Sequence, residues 1–184
     1  LKTSRQIRNY IREHSKVAYE AAAGYFRQEG LTEDNNYFLV DSGWIGTLQQ
    51  SMELLIQTIN PDIRIQGCYF GMYDTPKGMR DDSFRTYYFS KKSGLKRKIH
   101  FSNSLFETIV SSEEGMTMGY EKVGDRYEPV FCKKTNPNKK QMFGNICALR
   151  LMTEKLQVDG EVLIQRSTIE RLFYGFMSEP SWLE

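Results

Sequence analysis

The sequence predicts an α/β protein, a Rossmann-like layered fold in which helices flank a mixed, mostly parallel sheet, with a β-hairpin in the C-terminal half. Apolar residues recur at helical spacing through the first 29 positions, with no proline among them. Residues 37–73 follow the order strand, turn, helix, strand, which is a βαβ unit whose crossover is almost always right-handed. Residues 116–131 show two strand patterns about a Val-Gly-Asp turn, which favours a hairpin.

Composition restricts the class of protein. The 184 residues fit a single domain, 1–184, and 40% hydrophobic with 26% charged residues is ordinary for a globular chain. A net charge of +2 is too small for a typical nucleic-acid binder. Three distant cysteines without metal-ligand spacing predict neither disulfides nor a metal site, and indicate a reducing, cytoplasmic location. No apolar run is long enough for a membrane span.

The first half of the chain alternates helices with strands. A long amphipathic helix is predicted over residues 3–29, and it ends at Gly30, which accepts the left-handed conformation at little cost. The run Tyr37 to Asp41 has apolar residues on both faces, so we expect a strand buried in the centre of the sheet. A helix from Thr47 runs to an Asn-Pro-Asp breaker, and residues 63–73 form a second buried strand.

The second half is predicted to contain a third strand, further helices and the hairpin. Residues 84–90 form the strand, and the basic, glycine-containing stretch 91–100 is expected to be a loop. A short helix covers residues 103–112 and is capped at its first or second residue, and helix returns from Met142 to Met177 with one interruption. The chain begins without Met and ends in mid-pattern, so we expect a segment of a longer multidomain protein whose adjacent domains are partners.

The turn after the first strand has the residues of a ligand site. In an open α/β sheet, ligands bind beyond the carboxyl ends of the strands, where helix N-termini present backbone N–H groups. Glycines let the backbone approach a ligand, and Thr47 can cap the helix or donate its hydroxyl to a phosphate. Asp41 can accept from a sugar hydroxyl, bind a metal or act as a general base, so it is the candidate catalytic residue. The candidate ligand-binding residues of this turn are Ser42, Gly43, Trp44, Gly46, Thr47 and Gln49.

The same residues can also be explained as a purely structural corner between a strand and a helix. In that interpretation Asp41 and Ser42 satisfy turn amides, the glycines permit the bend and Trp44 packs on a neighbour. The spacing matches neither the dinucleotide-binding fingerprint nor the P-loop. Trp44 favours a site, because a large aromatic ring on a turn offers a flat surface on which a sugar or base can stack.

A second loop, residues 71–80, follows the second strand and is expected to open on the same edge of the sheet. Its residues Asp74, Lys77 and Arg80 are candidates to complete a pocket for an anionic ligand. The alternative is a solvated loop with ordinary charges. The basic run from Lys91 to Lys98 is interpreted as solvated, because aromatic residues do not interleave with its charges.

Five segments together resemble a known family. The chain is similar over most of its length to the region that follows the haloacid dehalogenase-like domain in large bacterial proteins of surface-polysaccharide clusters. Those proteins are described as predicted hydrolases and are linked to glycosyltransferases. The most specific element is Val-Asp-x-Gly-Trp-x-Gly-Thr-x-Gln, which spans Val40 to Gln49. The matching segments are YFRQEGL, FLVDSGWIGTLQQSMELL, IQGCYFGMY, LFETIVSSEEGMTMGYE and GFMSEPSWLE.

The resemblance implies a context, glycan assembly in a bacterial cytoplasm, more than a reaction. Phosphatase chemistry in dehalogenase-like domains uses an Asp-x-Asp pair at a strand end. This chain has Asp41, Ser42 and Gly43 there, so the second carboxylate is missing. Hydrolysis by that mechanism is therefore not expected from Asp41.

Three functional hypotheses follow. The first is a sugar-phosphate or nucleotide-sugar binding domain of a bacterial polysaccharide-biosynthesis protein, associated with a glycosyltransferase or hydrolase, in which helix amides and Lys77 or Arg80 stabilise phosphate charge. A divalent metal accompanying the nucleotide sugar is the one cofactor considered. The second is a non-catalytic scaffold domain that docks a neighbouring hydrolase or transferase domain through exposed aromatics. The third is a haloacid dehalogenase-like phosphohydrolase, which the missing carboxylate makes the least favoured.

Overall fold

Helices and strands alternate along the chain in a computed structural model that describes residues 2–33, 37–112, 114–132, 138–156 and 166–178. The helices are α1 (Lys2–Gln28), α2 (Thr47–Gln57), α3 (Asn103–Val110), α4 (Lys139–Leu156) and α5 (Arg166–Ser178). The strands are β1 (Phe38–Asp41), β2 (Gln66–Gly71), β3 (Phe84–Phe89), β4 (Thr117–Val123) and β5 (Arg126–Phe131). The stretch Leu95–His100 is a 3₁₀ helix where a loop was predicted, and the chain end from residue 179 lies outside the described residues.

The strands form two separate sheets. β1, β2 and β3 pair in parallel in that order, whereas β4 and β5 form an antiparallel hairpin. The connection from β1 to β2 contains α2, as predicted, and the connection from β2 to β3 is a loop without a helix. The α/β class, the parallel pairing and the hairpin are therefore confirmed.

β1 lies at one edge of the described sheet, which corrects the prediction that it is central. Leu39 packs on the core beneath α2, whereas Phe38 and Val40 are 61% and 80% exposed on the other face. A strand with apolar residues on both faces is buried only where both faces are covered. Within the described part of the chain, the second face is covered incompletely.

Two hydrophobic clusters hold the elements together. The first lies between α1, α2 and the sheet, and its buried members are Phe26, Ile56, Ile63 and Ile65. The second lies where β3, the 3₁₀ helix, α3 and α5 meet, and its buried members are Tyr88, Phe89 and Phe101, with Trp44, Phe70, Tyr73, Phe106, Phe173 and Met177 packed against them. Burying an apolar side chain of this size stabilises a fold by about 1.5–3 kcal/mol. The second cluster positions α3 beside the turn after β1.

The last two turns of α1 join it to the hairpin. A Cβ at Gly24 would overlap the ring of Tyr127, and Tyr25 stacks on Tyr120 with ring centroids 4.4 Å apart. The Gln28 amide pairs with the backbone of Tyr127 as a neighbouring strand would, accepting from its N–H at 2.8 Å and donating to its carbonyl at 3.0 Å. Residues 4–20 of α1 are exposed. None of the described helices combines the length and apolarity needed to cross a membrane.

Candidate functional site

The turn after β1 is held by its aspartate and its two glycines. Asp41 Oδ1 accepts a hydrogen bond from the Gly43 N–H at 3.0 Å. Gly43 has φ 120°, and a Cβ there would overlap the carbonyl oxygen of Gly71, so only glycine lets the turn pass the end of β2. Gly46 has φ 86°, and a Cβ there would lie 2.9 Å from Met72 Cε. Close backbone packing therefore requires glycine at position 43, and the left-handed backbone favours glycine at position 46.

The N-terminus of α2 opens onto a small concavity, which we call the polar corner. Gly46 occupies the N-cap position, so no side chain caps the helix, and Thr47 is exposed. Backbone N–H groups of a first helical turn lack intrahelical acceptors and carry partial positive charge. The corner has a volume of about 280 Å³ and is lined by Asp41, Gly43 to Leu48, and Tyr73. It can hold an anion beside the helix and a hydroxyl group beside the carboxylate.

Asp41 also borders a larger concavity on the face of the sheet opposite α2, which we call the aromatic groove. Its volume is about 530 Å³, and Asp41 and Ser42 lie at its rim. The strands supply its floor and α3 supplies its wall. Apolar concavities with a few polar groups at one end are the usual form of a small-molecule site. The apolar lining consists of Val40, Cys68, Phe70 and Tyr87 on the strands and Phe106 and Val110 on α3.

Trp44 packs against the second hydrophobic cluster and also lines the polar corner. Its indole N–H donates to Glu107 Oε1 at 2.5 Å. Its ring lies nearly parallel to those of Tyr73 and Phe89, at interplanar angles of 8° and 7°, and Phe101 meets it edge-on at 5.4 Å. Trp44 therefore fastens the turn to α3 and to Phe101.

Gln49 is an internal clamp, which corrects its assignment as a ligand contact. Its side chain is 2% exposed and lies against Gly67, where a Cβ would overlap it. Its Nε2 donates to the carbonyls of Ile65 and Ser83, both at 2.8 Å. Its Oε1 accepts from the Tyr69 hydroxyl at 2.8 Å. These bonds tie α2 to the residues that precede β2 and β3.

The loop between β2 and β3 does not bring its charged residues to Asp41. Asp74 accepts from Lys91 Nζ at 3.0 Å and from the Thr75 N–H at 2.9 Å, and these bonds hold the pKa of Asp74 below its usual value. Arg80 lies 3.6 Å from Asp82 and lines a separate cavity of about 300 Å³ beside α2.

Lys77 is likewise placed along α2. Its carbonyl accepts from Gln50 Nε2 at 2.9 Å, which draws the loop back over the helix. Among the described residues, neither Lys77, Arg80 nor Asp74 lines the polar corner or the aromatic groove. The structure therefore does not bring these three side chains to Asp41, because Lys77 and Arg80 lie along α2 and Asp74 pairs with Lys91.

Lys98 contributes a charge near the polar corner that sequence reasoning had assigned to solvent. Its Nζ lies 5.2 Å from the centroid of the Tyr73 ring, and Tyr73 lines the corner. Other members of the basic run pair elsewhere, as Lys91 does with Asp74 and Arg97 with Glu170 at 2.7 Å. Nothing in the spacing of the basic run separates Lys98 from its neighbours, because the contact forms across the fold.

Asp41 also influences the buried Tyr69. Burial raises the pKa of the Tyr69 phenol, and the negative charge of Asp41 raises it further. The phenol therefore stays neutral at physiological pH and donates to Gln49. Asp41 thus lies between a neutral buried hydroxyl and two open concavities. Within the described part of the chain, no three His, Cys, Asp or Glu side chains come together as a metal site.

Comparisons with known proteins do not assign the chain to a family. A search against models of protein families found no match, and searches of curated proteins and of solved structures found none either. The resemblance to polysaccharide-cluster proteins stays an expectation. The geometry of the polar corner and the aromatic groove carries the functional proposal.

Proposed function

We propose that this chain binds a sugar phosphate or a nucleotide sugar, as a Rossmann-like domain of a cytoplasmic, bacterial polysaccharide-biosynthesis protein of glycosyltransferase or hydrolase type. One observation carries the ligand class: Asp41 borders both the polar corner and the aromatic groove. A ligand across the two would meet the helix amides, a carboxylate and an apolar surface in succession. That sequence of surfaces matches a phosphate, a hydroxylated ring and an apolar group.

The chemistry of each part supports binding. The first-turn amides of α2 favour a phosphate, and the Lys98 ammonium above Tyr73 adds positive charge on that side. A carboxylate oxygen accepts more than one hydrogen bond, so Asp41 can hold the Gly43 N–H and a sugar hydroxyl together. Turnover, where it occurs, would rely on positioning and electrostatics, with Asp41 orienting the reacting hydroxyl.

The test is calorimetric titration of the wild type and Asp41→Asn with glucose 1-phosphate and with inorganic phosphate. The asparagine oxygen can still accept from Gly43, so the turn is preserved. We expect about tenfold weaker binding of glucose 1-phosphate, because hydrogen bonds to charged groups contribute about 1.5–3 kcal/mol. Inorganic phosphate should bind no more weakly, because a nearby negative charge has been removed.

Asp62→Asn is the matched control. Asp62 is exposed in the loop after α2 and lines neither concavity, so its variant should bind as the wild type does. An Asp41→Asn affinity for glucose 1-phosphate equal to that of Asp62→Asn would contradict the proposal.

A second candidate function is a non-catalytic scaffold that docks a neighbouring hydrolase or transferase domain. The observation that favours it is the exposed apolar face of α1, where Ile7, Tyr10, Ile11 and Val17 are 54%, 62%, 56% and 74% exposed. These residues lie on one side of a helix whose last turns alone are packed. Hydrogen exchange of residues 4–20, measured in this chain and in a longer protein that contains it, tests docking. Protection only in the longer protein supports the scaffold, and equally fast exchange in both excludes it.

A further inference from the structure

The geometry points to a nucleoside diphosphate sugar as the ligand, with its base in the aromatic groove and its diphosphate at the polar corner. This inference rests on the proposed function and selects one of its two ligand classes. A sugar phosphate would occupy only the corner of about 280 Å³, whereas the groove of about 530 Å³ would stay open to water. A ligand with a planar apolar group at one end uses both.

The groove presents a fixed aromatic surface to such a group. Phe70 stacks on Phe106 with ring centroids 4.3 Å apart, so the ring on the floor and the ring on the wall hold each other in place. Tyr87 lies beside Phe70 at 5.9 Å and is 43% exposed. A base that stacks on rings already held in position loses less entropy on binding than one that must order them. Planar bases stack on aromatic side chains whatever their identity.

The order of the surfaces matches the order of groups in the ligand. Val40 pairs with Cys68 on the groove floor, and Asp41, the next residue, pairs with Tyr69 and begins the polar corner. Asp41 lines both concavities and Ser42 lines the groove, so the ribose between base and diphosphate would lie beside these two residues. Base, ribose and diphosphate therefore meet the groove, the hydroxyl acceptors and the α2 N-terminus in turn.

The experiment compares three probes, uridine diphosphate glucose, glucose 1-phosphate and octyl phosphate, by calorimetric titration. Val40→Trp fills the groove with a second ring, and Phe38→Trp is its matched control. Both residues are exposed on the same face of β1, but only Val40 lines the groove. Their exposure lets both variants fold, which thermal unfolding verifies.

We expect Val40→Trp to weaken the binding of uridine diphosphate glucose about tenfold. This is the lower part of the range for the loss of one stacking contact between a base and an aromatic ring. Glucose 1-phosphate should change less than about twofold, and Phe38→Trp should bind all probes as the wild type does. Weaker binding of uridine diphosphate glucose alone would therefore support the placement of the base in the groove.

Three outcomes overturn the inference, and they can be told apart. The wild type could bind uridine diphosphate glucose and glucose 1-phosphate equally well, with Val40→Trp changing neither affinity. The proposed function would then stand, but the base would not bind in the groove. Tighter binding of octyl phosphate than of the nucleotide sugar, lost in Val40→Trp, assigns the groove to an alkyl chain. Failure of all three probes to bind the wild type rejects the proposed function together with the inference.

Discussion

The two faces of the parallel sheet differ in how they are covered. Beneath α2, Ile56 is fully buried and Gln49 is 2% exposed, and hydrogen bonds to the Ile65 carbonyl and the Tyr69 hydroxyl hold the Gln49 side chain in place. On the other face, α3 covers only part of the strands, and Val40 is 80% exposed. The first face serves stability and the second offers a binding surface. Alternate residues of one strand can therefore be changed with separate effects on folding and on binding.

The largest effect is expected from breaking the clamp on the closed face. Gln49→Leu removes three hydrogen bonds and leaves the buried Ile65 carbonyl and Tyr69 hydroxyl without this partner. We expect the free energy of unfolding to fall by about 3 kcal/mol, because each buried polar group left unpaired costs about 1–3 kcal/mol. Urea denaturation followed by circular dichroism measures it.

Gln50→Leu is the matched control for that measurement. The Gln50 amide donates to the Lys77 carbonyl near the surface, so its loss should cost less than about 1 kcal/mol. Equal losses for the two glutamines would show that the clamp does not close the face.

Two adjacent residues of β1 test the difference between the two faces of the sheet, with effects of intermediate size. Leu39→Ala removes a side chain packed against the first hydrophobic cluster, and should lower the free energy of unfolding by about 2 kcal/mol. Val40→Ala should change it by less than about 0.5 kcal/mol, since Val40 is mostly exposed. Denaturant midpoints of the two variants decide the matter, and a large loss at Val40 would mean that the groove face is packed in solution.

The smallest effect concerns alkaline pH. The pKa of Tyr69 is raised in the folded state, so the folded protein resists ionisation that the unfolded chain undergoes near pH 10. The stability is therefore complete below about pH 10 and is lost as pH rises above it, by at most about 1.4 kcal/mol per pH unit for one group.

Tyr69→Phe should make that loss less steep without abolishing it, because burial also raises the pKa values of Tyr37, Tyr88 and Tyr120. The free energy of unfolding at pH 9, 10 and 11 gives the slope. An unchanged slope in Tyr69→Phe would mean that Tyr69 ionises as freely in the folded protein as in the unfolded chain.

Much of the candidate site could be predicted because it depends on nearby residues. The Asp41 to Gly43 bond and the positive φ of Gly46 follow from turn chemistry within six positions. Trp44 and Gln49 were assigned to a ligand because they lie in the same stretch, yet their partners Glu107 and Ser83 are 63 and 34 positions away. Contacts at that separation leave no local pattern.

The sequence by itself determined the helices, the parallel strands, the hairpin and the tight turn after β1, because hydrophobic periodicity and turn residues act over a few positions. Only the tertiary structure decided that β1 lies at an edge and that Gln49 closes one face while Val40 stays open on the other. It also decided that Lys98 lies over the ring of Tyr73, which lines the polar corner, and that Lys77 and Arg80 lie along α2. Coverage of a face depends on packing between distant segments, which the pattern of a single strand does not encode.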